Sequence, residues 1–245
     1  MDVQTWLQAQ LNWQYEPGLW LAGPVILYAL AGTIAWVVQR RPAVLGALAP
    51  RIRAWPGSYW LLQLVCWAFL FGLPYAALTM GIVSPRWMGL SEIDWVQSMG
   101  VGGPLAAAAL ALLWLSWWCY RRGLPALEGD TAPDSPYPAL RWLRAIVETA
   151  ALQAHWAFYR GVFVGGGWVA DPQWGSWAGL AMSCMGWALS PWLWQALRQP
   201  ARSDRVLRHA VLAVVTTALF ILTRNFWLCW ALHALFEMVA THVGN

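Results

Sequence analysis

The sequence predicts an all-α integral membrane protein, a polytopic helical bundle with about seven transmembrane helices. Apolar residues make up 60% of the 245 residues and charged residues only 11%, a composition far from that of soluble domains. The apolar residues form stretches of roughly 20 residues, the length that a helix needs to cross a hydrocarbon core of about 30 Å. These stretches do not alternate between apolar and polar residues, which excludes a membrane β-barrel.

The predicted spans divide the chain around one polar loop. They cover approximately residues 18–39, 58–83, 101–120, 140–165, 175–197, 206–223 and 226–243. Residues 1–122 therefore hold an N-terminal segment and three spans, residues 123–139 a loop rich in Pro and Gly, and residues 140–245 four spans. The N-terminal segment carries apolar residues at helical spacing, which favours a helix along the membrane surface, with a disordered tail as the alternative.

The arginines indicate the orientation of the chain. All fifteen basic residues are arginine, and most follow the first, third and fifth spans, namely Arg40, Arg41, Arg51, Arg53, Arg121, Arg122, Arg198, Arg202, Arg205 and Arg208. By the positive-inside rule, the N-terminus lies outside and the C-terminus in the cytoplasm, and we expect a bacterial cytoplasmic membrane. The net charge of +4 is too small and too dispersed for a nucleic-acid surface.

Tryptophan is unusually frequent, with 22 residues in the chain. Because the indole ring is amphipathic, many of these side chains should form belts at the membrane–water boundary. An exterior rich in Trp and nearly free of charge suits contact with lipids and with other helices. We therefore expect membrane lipids and other membrane protein subunits as partners.

Ionisable residues at membrane depth are costly, and they concentrate in two of the predicted spans. In the fourth span, Glu148 and His155 are seven residues apart and Tyr159 follows one turn later, so these residues form a polar stripe. In the seventh span, His233 and Glu237 are four residues apart, where the carboxylate can fix the imidazole tautomer. We expect these two spans to pack together with the stripes facing each other.

Three interpretations of such a site remain open. Its imidazoles and carboxylates could activate a water, ligate a metal or pigment, or only hydrogen-bond one another between helices. Two histidines alone make an incomplete ligand set, so we assign no metal ligands and expect no cofactor. Arg160 lies near the outer end of the fourth span, where a long side chain can extend to the lipid headgroups.

Three segments of the C-terminal part resemble, in order, the motifs of the CPBP family, the CAAX-protease and bacteriocin-processing intramembrane endopeptidases. The first motif of that family is a Glu-Glu pair followed after three residues by Arg, and the segment here runs from His155-Trp156 to Arg160-Gly161. The second motif ends in histidine, where Gly186–Ser190 offers none. The last motif, a Thr-Gly-Asn-Leu-Trp run leading to His-x-x-x-Asn, corresponds to 223–227 followed by His233 and Glu237.

The resemblance implies a membrane-embedded helical scaffold for peptide cleavage, with His155, Arg160, His233 and Glu237 as the catalytic candidates. Because the glutamate pair is missing, the family mechanism does not carry over, and a degenerate member without peptidase activity is the simpler inference. We therefore predict an accessory or assembly subunit of a larger membrane complex. The alternatives are an active peptidase with a rebuilt His155–His233–Glu237 site, and a subunit in which His155 or His233 ligates haem or a chlorophyll-type pigment.

Overall fold

The computed structural model describes residues 16–40, 55, 58–123 and 138–243. Regular secondary structure in these residues is helical throughout: α1 (Pro17–Arg40), α2 (Ser58–Thr79), α3 (Gly103–Gly123), α4 (Pro138–Gly165), α5 (Pro172–Ala188), α6 (Pro191–Leu197), α7 (Pro200–Thr223) and α8 (Phe226–Val243). A helical turn, Trp95–Gln97, and a π-helical segment, Ser98–Gly102, lead into α3. The predicted N-terminal surface helix and most of the predicted polar loop lie outside the described residues.

Three helical stretches are long and apolar enough to cross a membrane: Gly18–Val37, Trp95–Tyr120 and Ser203–Thr223. Two further apolar stretches, Gln63–Thr79 and Phe226–Ala240, are shorter. The prediction of an all-helical chain is thus confirmed for the described residues. Helix length and composition indicate a membrane protein.

The predicted span at residues 175–197 is two helices rather than one. α5 ends at Ala188, and α6 begins at Pro191 after an extended Ser190. Proline has no N–H to donate, and its ring disfavours helical dihedrals in the residue before it, which explains the break. α5 alone has 17 residues, about 25 Å at 1.5 Å per residue.

α4 lies at the centre of the molecule, in contact with α2, α5 and α8. No side chain between Thr149 and Val164 is exposed. Phe158, Tyr159 and Val162 belong to a core cluster that also includes residues of α1, α2 and α8. A helix that is buried all round is typical of the interior of a bundle, and this helix carries the polar residues of the fourth predicted span.

α5 packs on α4 with the two backbones in close contact. The buried residues of α5 are all small: Gly175, Ser176, Gly179, Ser183 and Gly186. A Cβ atom at position 179 would lie 2.6 Å from the backbone nitrogen of Arg160. Small residues allow helices to approach in this way, so α5 fixes the position of α4.

The loop that follows α2 joins the corner between α7 and α8. The Phe226 N–H donates to the carbonyl of Gly89 at 2.9 Å, and the Ser98 hydroxyl donates to the carbonyl of Thr223 at 3.1 Å. Gly89 has a φ of +71°, and a Cβ there would lie 2.7 Å from the Arg224 carbonyl oxygen. Glycine is therefore required at this contact.

Two further contacts bring other helix ends to the same side of the molecule. Gly165, at the end of α4, lies so close to Trp87 of this loop that a Cβ would be 2.5 Å from the indole. Gly18, near the start of α1, lies beside Trp168, which precedes α5. The same region of the molecule thus contains seven helix ends: the starts of α1, α3, α5 and α8 and the ends of α2, α4 and α7.

Candidate functional site

The most polar part of the interior lies between α4 and α8, as the sequence predicts. His233 of α8 is fully buried, and its Nδ1 lies 3.1 Å from Nε2 of Gln153 on α4. The Trp156 ring stacks on the His233 ring with 5.3 Å between centroids and 7° between planes. The predicted packing of the fourth span against the seventh is therefore confirmed.

The sequence predicts that Arg160 extends to the lipid headgroups, but its side chain is buried in the bundle instead. Only 1% of it is exposed, and its guanidinium donates to the carbonyls of Trp156 and Thr216 at 3.3 Å each and to Gln153 Oε1 at 3.4 Å. The guanidinium carbon also lies 4.5 Å from the centroid of the Phe220 ring. The reason is that Arg160 faces α7, where these oxygens satisfy its donors inside the bundle.

His155 does not join His233 and Glu237, so the predicted convergence of the two stripes is wrong in this respect. Its ring lies 5.4 Å from Phe69 of α2 and 5.0 Å from Tyr159, between centroids. Gln153 and Trp156 occupy the side of α4 that meets α8, and His155 points away from that side. His155 is buried and its Nδ1 has no hydrogen-bond partner among the described residues.

Glu148 also lies outside the predicted site. Its Oε1 accepts a hydrogen bond from Arg144 at 2.7 Å and another from Gln63 of α2 at 3.2 Å. Its side chain is 36% exposed, in contrast to the buried side chains around His233. Glu148 therefore forms an ion pair in the first half of α4 and is not part of the buried cluster.

Glu237 lies within a charged cluster between α7 and α8. Its Oε2 lies 3.2 Å from the Arg208 guanidinium, and Arg208 also pairs with Asp204 at 3.2 Å. Arg208 follows the fifth predicted span and lies near the start of the sixth, 206–223; in the structure α7 begins earlier, at Pro200, and includes it. Arg208 therefore lies close enough to α8 to neutralise Glu237.

His209 is the residue that the sequence analysis missed. Its Nε2 lies 3.7 Å from Glu237 Oε1, and its ring centroid is 6.0 Å from that of His233. The sixth predicted span has few ionisable residues, so its sequence alone does not indicate a site at its one histidine. The signal that could have found it is an imidazole beside Arg208, one turn after Asp204.

One potential ligand atom from each of His209, His233 and Glu237 lies within 4.8 Å of the other two. Nε2 of His233 and Oε1 of Glu237 are both buried and lack a hydrogen-bond partner among the described residues. Two imidazoles and a carboxylate are the ligand types that zinc takes in many protein sites. Among the described residues, these are the ones that could hold a metal ion.

A separate groove of about 430 Å³ opens between α1 and α6. Its lining includes Trp36 and Arg40 of α1, and Trp194 and Arg198 at the end of α6. The Arg40 guanidinium lies 4.8 Å from the centroid of the Trp36 ring. Indole rings and guanidinium groups together suit the boundary between lipid tails and headgroups.

Comparison of the chain with protein-family models, curated proteins and solved structures finds no match. The resemblance to the CPBP family therefore remains a prediction based on the motif residues.

Proposed function

We propose that the chain is a seven-span protein of a bacterial cytoplasmic membrane, with the N-terminus outside and the C-terminus in the cytoplasm. The grouping of helix ends supports this topology. Along the chain, the long helices alternately start and end in the same region of the bundle, so successive helices run in opposite directions. That region carries Arg86 and Arg224, whereas Arg40, Arg122 and Arg198 lie at the opposite ends of their helices. The asymmetry agrees with the positive-inside rule.

We further propose that the protein is a CPBP-like scaffold without peptidase activity, acting as an accessory or assembly subunit of a membrane complex. The observation that carries this proposal is the Trp156 ring stacked on His233. Trp156 stands where the family pattern has a glutamate, and its indole nitrogen is a donor only, so it cannot act as a base. The ring also covers one face of the His233 imidazole.

The remaining catalytic candidates also favour a structural role. His155 faces α2, Arg160 is held by carbonyl and amide oxygens, and Glu237 is paired with Arg208. A general base must lie within about 2.6–3.2 Å of the water or group from which it takes a proton. The separation of His155 from His233 and Glu237 therefore argues against the rebuilt peptidase site.

The outer surface supports contacts with lipids and other subunits. Large apolar side chains are exposed along the helices, including Ile26, Leu30 and Ile34 on α1 and Leu112 and Leu115 on α3. These faces suit lipid tails or the helices of a partner. The groove between α1 and α6 supports lipids with polar headgroups as further partners.

The absence of peptidase activity is tested with the purified protein in lipid and a panel of prenylated and unprenylated peptides. We expect no cleavage by the parent, because several catalytic groups are missing and even one lost oxyanion donor costs about 10²–10³ in rate. Cleavage that disappears in both His233→Ala and Glu237→Ala variants would show an active peptidase. An absorption spectrum of the same sample tests for haem or pigment.

The subunit role is tested in the native membrane. A chain tagged after Asn245 and expressed at its natural level should migrate on native gels within a complex larger than its own dimer. Deletion of the chain should then reduce the amount of that assembled complex. Migration only as a monomer or homo-oligomer would contradict the subunit role.

A further inference from the structure

Some polar atoms of the buried cluster between α7 and α8 have no hydrogen-bond partner within it. Nε2 of the fully buried His233 and Oε1 of the 9% exposed Glu237 lack hydrogen-bond partners among the described residues. Leaving such groups unpaired in the interior costs free energy, because they lose their hydrogen bonds to water without gaining others. Glu237 Oε1 lies 3.7 Å from His209 Nε2, which approaches from α7, and one potential ligand atom of His233 lies within 4.8 Å of both residues' ligand atoms.

We propose that His209, His233 and Glu237 bind one divalent transition-metal ion, with Zn²⁺ as the best-suited ion, between α7 and α8. Two neutral imidazoles and one carboxylate are a typical zinc ligand set. The ion would supply the partner that His233 Nε2 and Glu237 Oε1 lack. This site does not depend on the proposed subunit role or on the family resemblance, because it rests on the cluster geometry alone.

The geometry requires only a local adjustment. Ligands at about 2.0–2.1 Å around a tetrahedral ion lie roughly 3.4 Å apart. The separation of 3.7 Å between His209 Nε2 and Glu237 Oε1 is already close to this value. The three donors all lie within 4.8 Å of one another, so the cluster must contract wherever a separation exceeds about 3.4 Å. His209 has a side chain that is 28% exposed, which leaves it room to move and gives the ion a route of entry.

The charges around the cluster are compatible with a second cation. Glu237 now pairs with Arg208, and an incoming ion would compete for the same carboxylate. Arg208 keeps a partner when Glu237 turns to the metal, because Asp204 lies 3.2 Å from its Nε. Two carboxylates thus serve the Arg208 guanidinium and one metal ion, while Arg205, the other cation that acts on Glu237, is exposed.

The tautomer of His233 decides whether its Nε2 can coordinate. Coordination needs the lone pair on Nε2, so the proton must lie on Nδ1 and be donated to an acceptor. Gln153 supplies that acceptor if its amide is turned by 180°, which brings Oε1 to the present place of Nε2. Arg160 then gives up its contact with Gln153 and keeps the carbonyls of Trp156 and Thr216. Gln153 is therefore a positioning residue for the metal ligand.

The test uses the full-length chain without a histidine tag, in lipid nanodiscs, after removal of metals with a chelator. Zn²⁺ is titrated against a chromophoric competitor, and Co²⁺ is used in parallel for its absorption bands. We expect one Zn²⁺ per chain and a raised melting temperature. Loss of His209 or Glu237 should weaken binding by at least about 10-fold, since even removal of a residue that orients a ligand costs 10–100-fold.

Three further features make the result decisive. His155→Ala is the matched control, because it removes another buried histidine from the opposite side of α4 and should leave the affinity unchanged. Gln153→Glu should raise the affinity about 10-fold, because a carboxylate accepts from Nδ1 in either orientation. If a Glu237→Gln variant does not fold, the His209→Ala variant tests the metal site in its place. The His209 side chain is partly exposed, so its removal should disturb folding less.

Equal, weak binding by the parent, His209→Ala and His155→Ala would overturn the metal site, as would no stoichiometric binding by the parent. Neither result would bear on the peptidase assay or the native-gel experiment. The metal site and the subunit role can therefore fail separately.

Discussion

Arg160 shows how a charged side chain is accommodated in the interior of this protein. None of its contacts in the described part of the chain is with a carboxylate; carbonyl and amide oxygens and the face of Phe220 surround it instead. Its burial depends on Gln153, which also contacts His233 and Thr216. The polar interior is thus a connected network in which Gln153 is shared by three partners.

The first prediction concerns this shared residue. Gln153→Leu has a similar volume but leaves His233 Nδ1, the Thr216 hydroxyl and one nitrogen of Arg160 without that partner. We expect a loss of about 1–3 kcal/mol in the free energy of unfolding, measured by denaturant titration in detergent. Gln63→Leu is the matched control, because Glu148 keeps its bond from Arg144 and is partly exposed. Equal losses in the two variants would contradict the network.

At the scale of elements, the contact between α4 and α5 depends on the absence of side chains. Gly179 places its Cα against the backbone of Arg160, and Gly175 lies against Val164 one turn nearer the start of α5. Such contacts set the distance between the helices and also their rotation about their own axes. The rotation of α4 then determines that Gln153 faces α8 and His155 faces α2.

The second prediction tests this contact. Gly179→Ala adds a Cβ that would lie 2.6 Å from a backbone nitrogen, so the helices must separate, at a cost of about 1–3 kcal/mol. Gly72→Ala in α2 is the control, because nothing lies within 4 Å of its added Cβ. We expect the control to be neutral or stabilising by up to about 1 kcal/mol, since Ala favours helix. Melting temperatures in detergent compare the two, and a harmless Gly179→Ala would refute the close packing.

At the scale of the whole molecule, the third prediction concerns topology. A reporter fused after Asn245 should report the cytoplasm, and one inserted after Ser91 should report the outside. The reason is that Arg-rich segments remain on the cytoplasmic side, and the loop with Ser91 lies at the end that is poor in arginine. The two locations are measured with a pair of reporters active on opposite sides of the membrane. An external C-terminus, or both reporters on one side, would exclude an odd number of spans in this orientation.

The amino-acid sequence alone predicts the helical class, the approximate helices and the pairing of α4 with α8. These follow from local properties: an apolar stretch in lipid must satisfy its own backbone hydrogen bonds, and polar stripes avoid lipid. Even the break at Pro191 has a local cause, the missing proline N–H, although the length of the apolar stretch there predicts one span.

Which polar side chains meet depends on the tertiary structure. Spacing along a helix gives the angle between two of its own residues, but not the rotation of that helix against its neighbours. That rotation depends on contacts such as Gly179 against Arg160, between residues distant in sequence. It turned His155 away from His233 and brought His209 to Glu237 from α7. It also enclosed Arg160, because the oxygens that accept its hydrogen bonds come from two different helices.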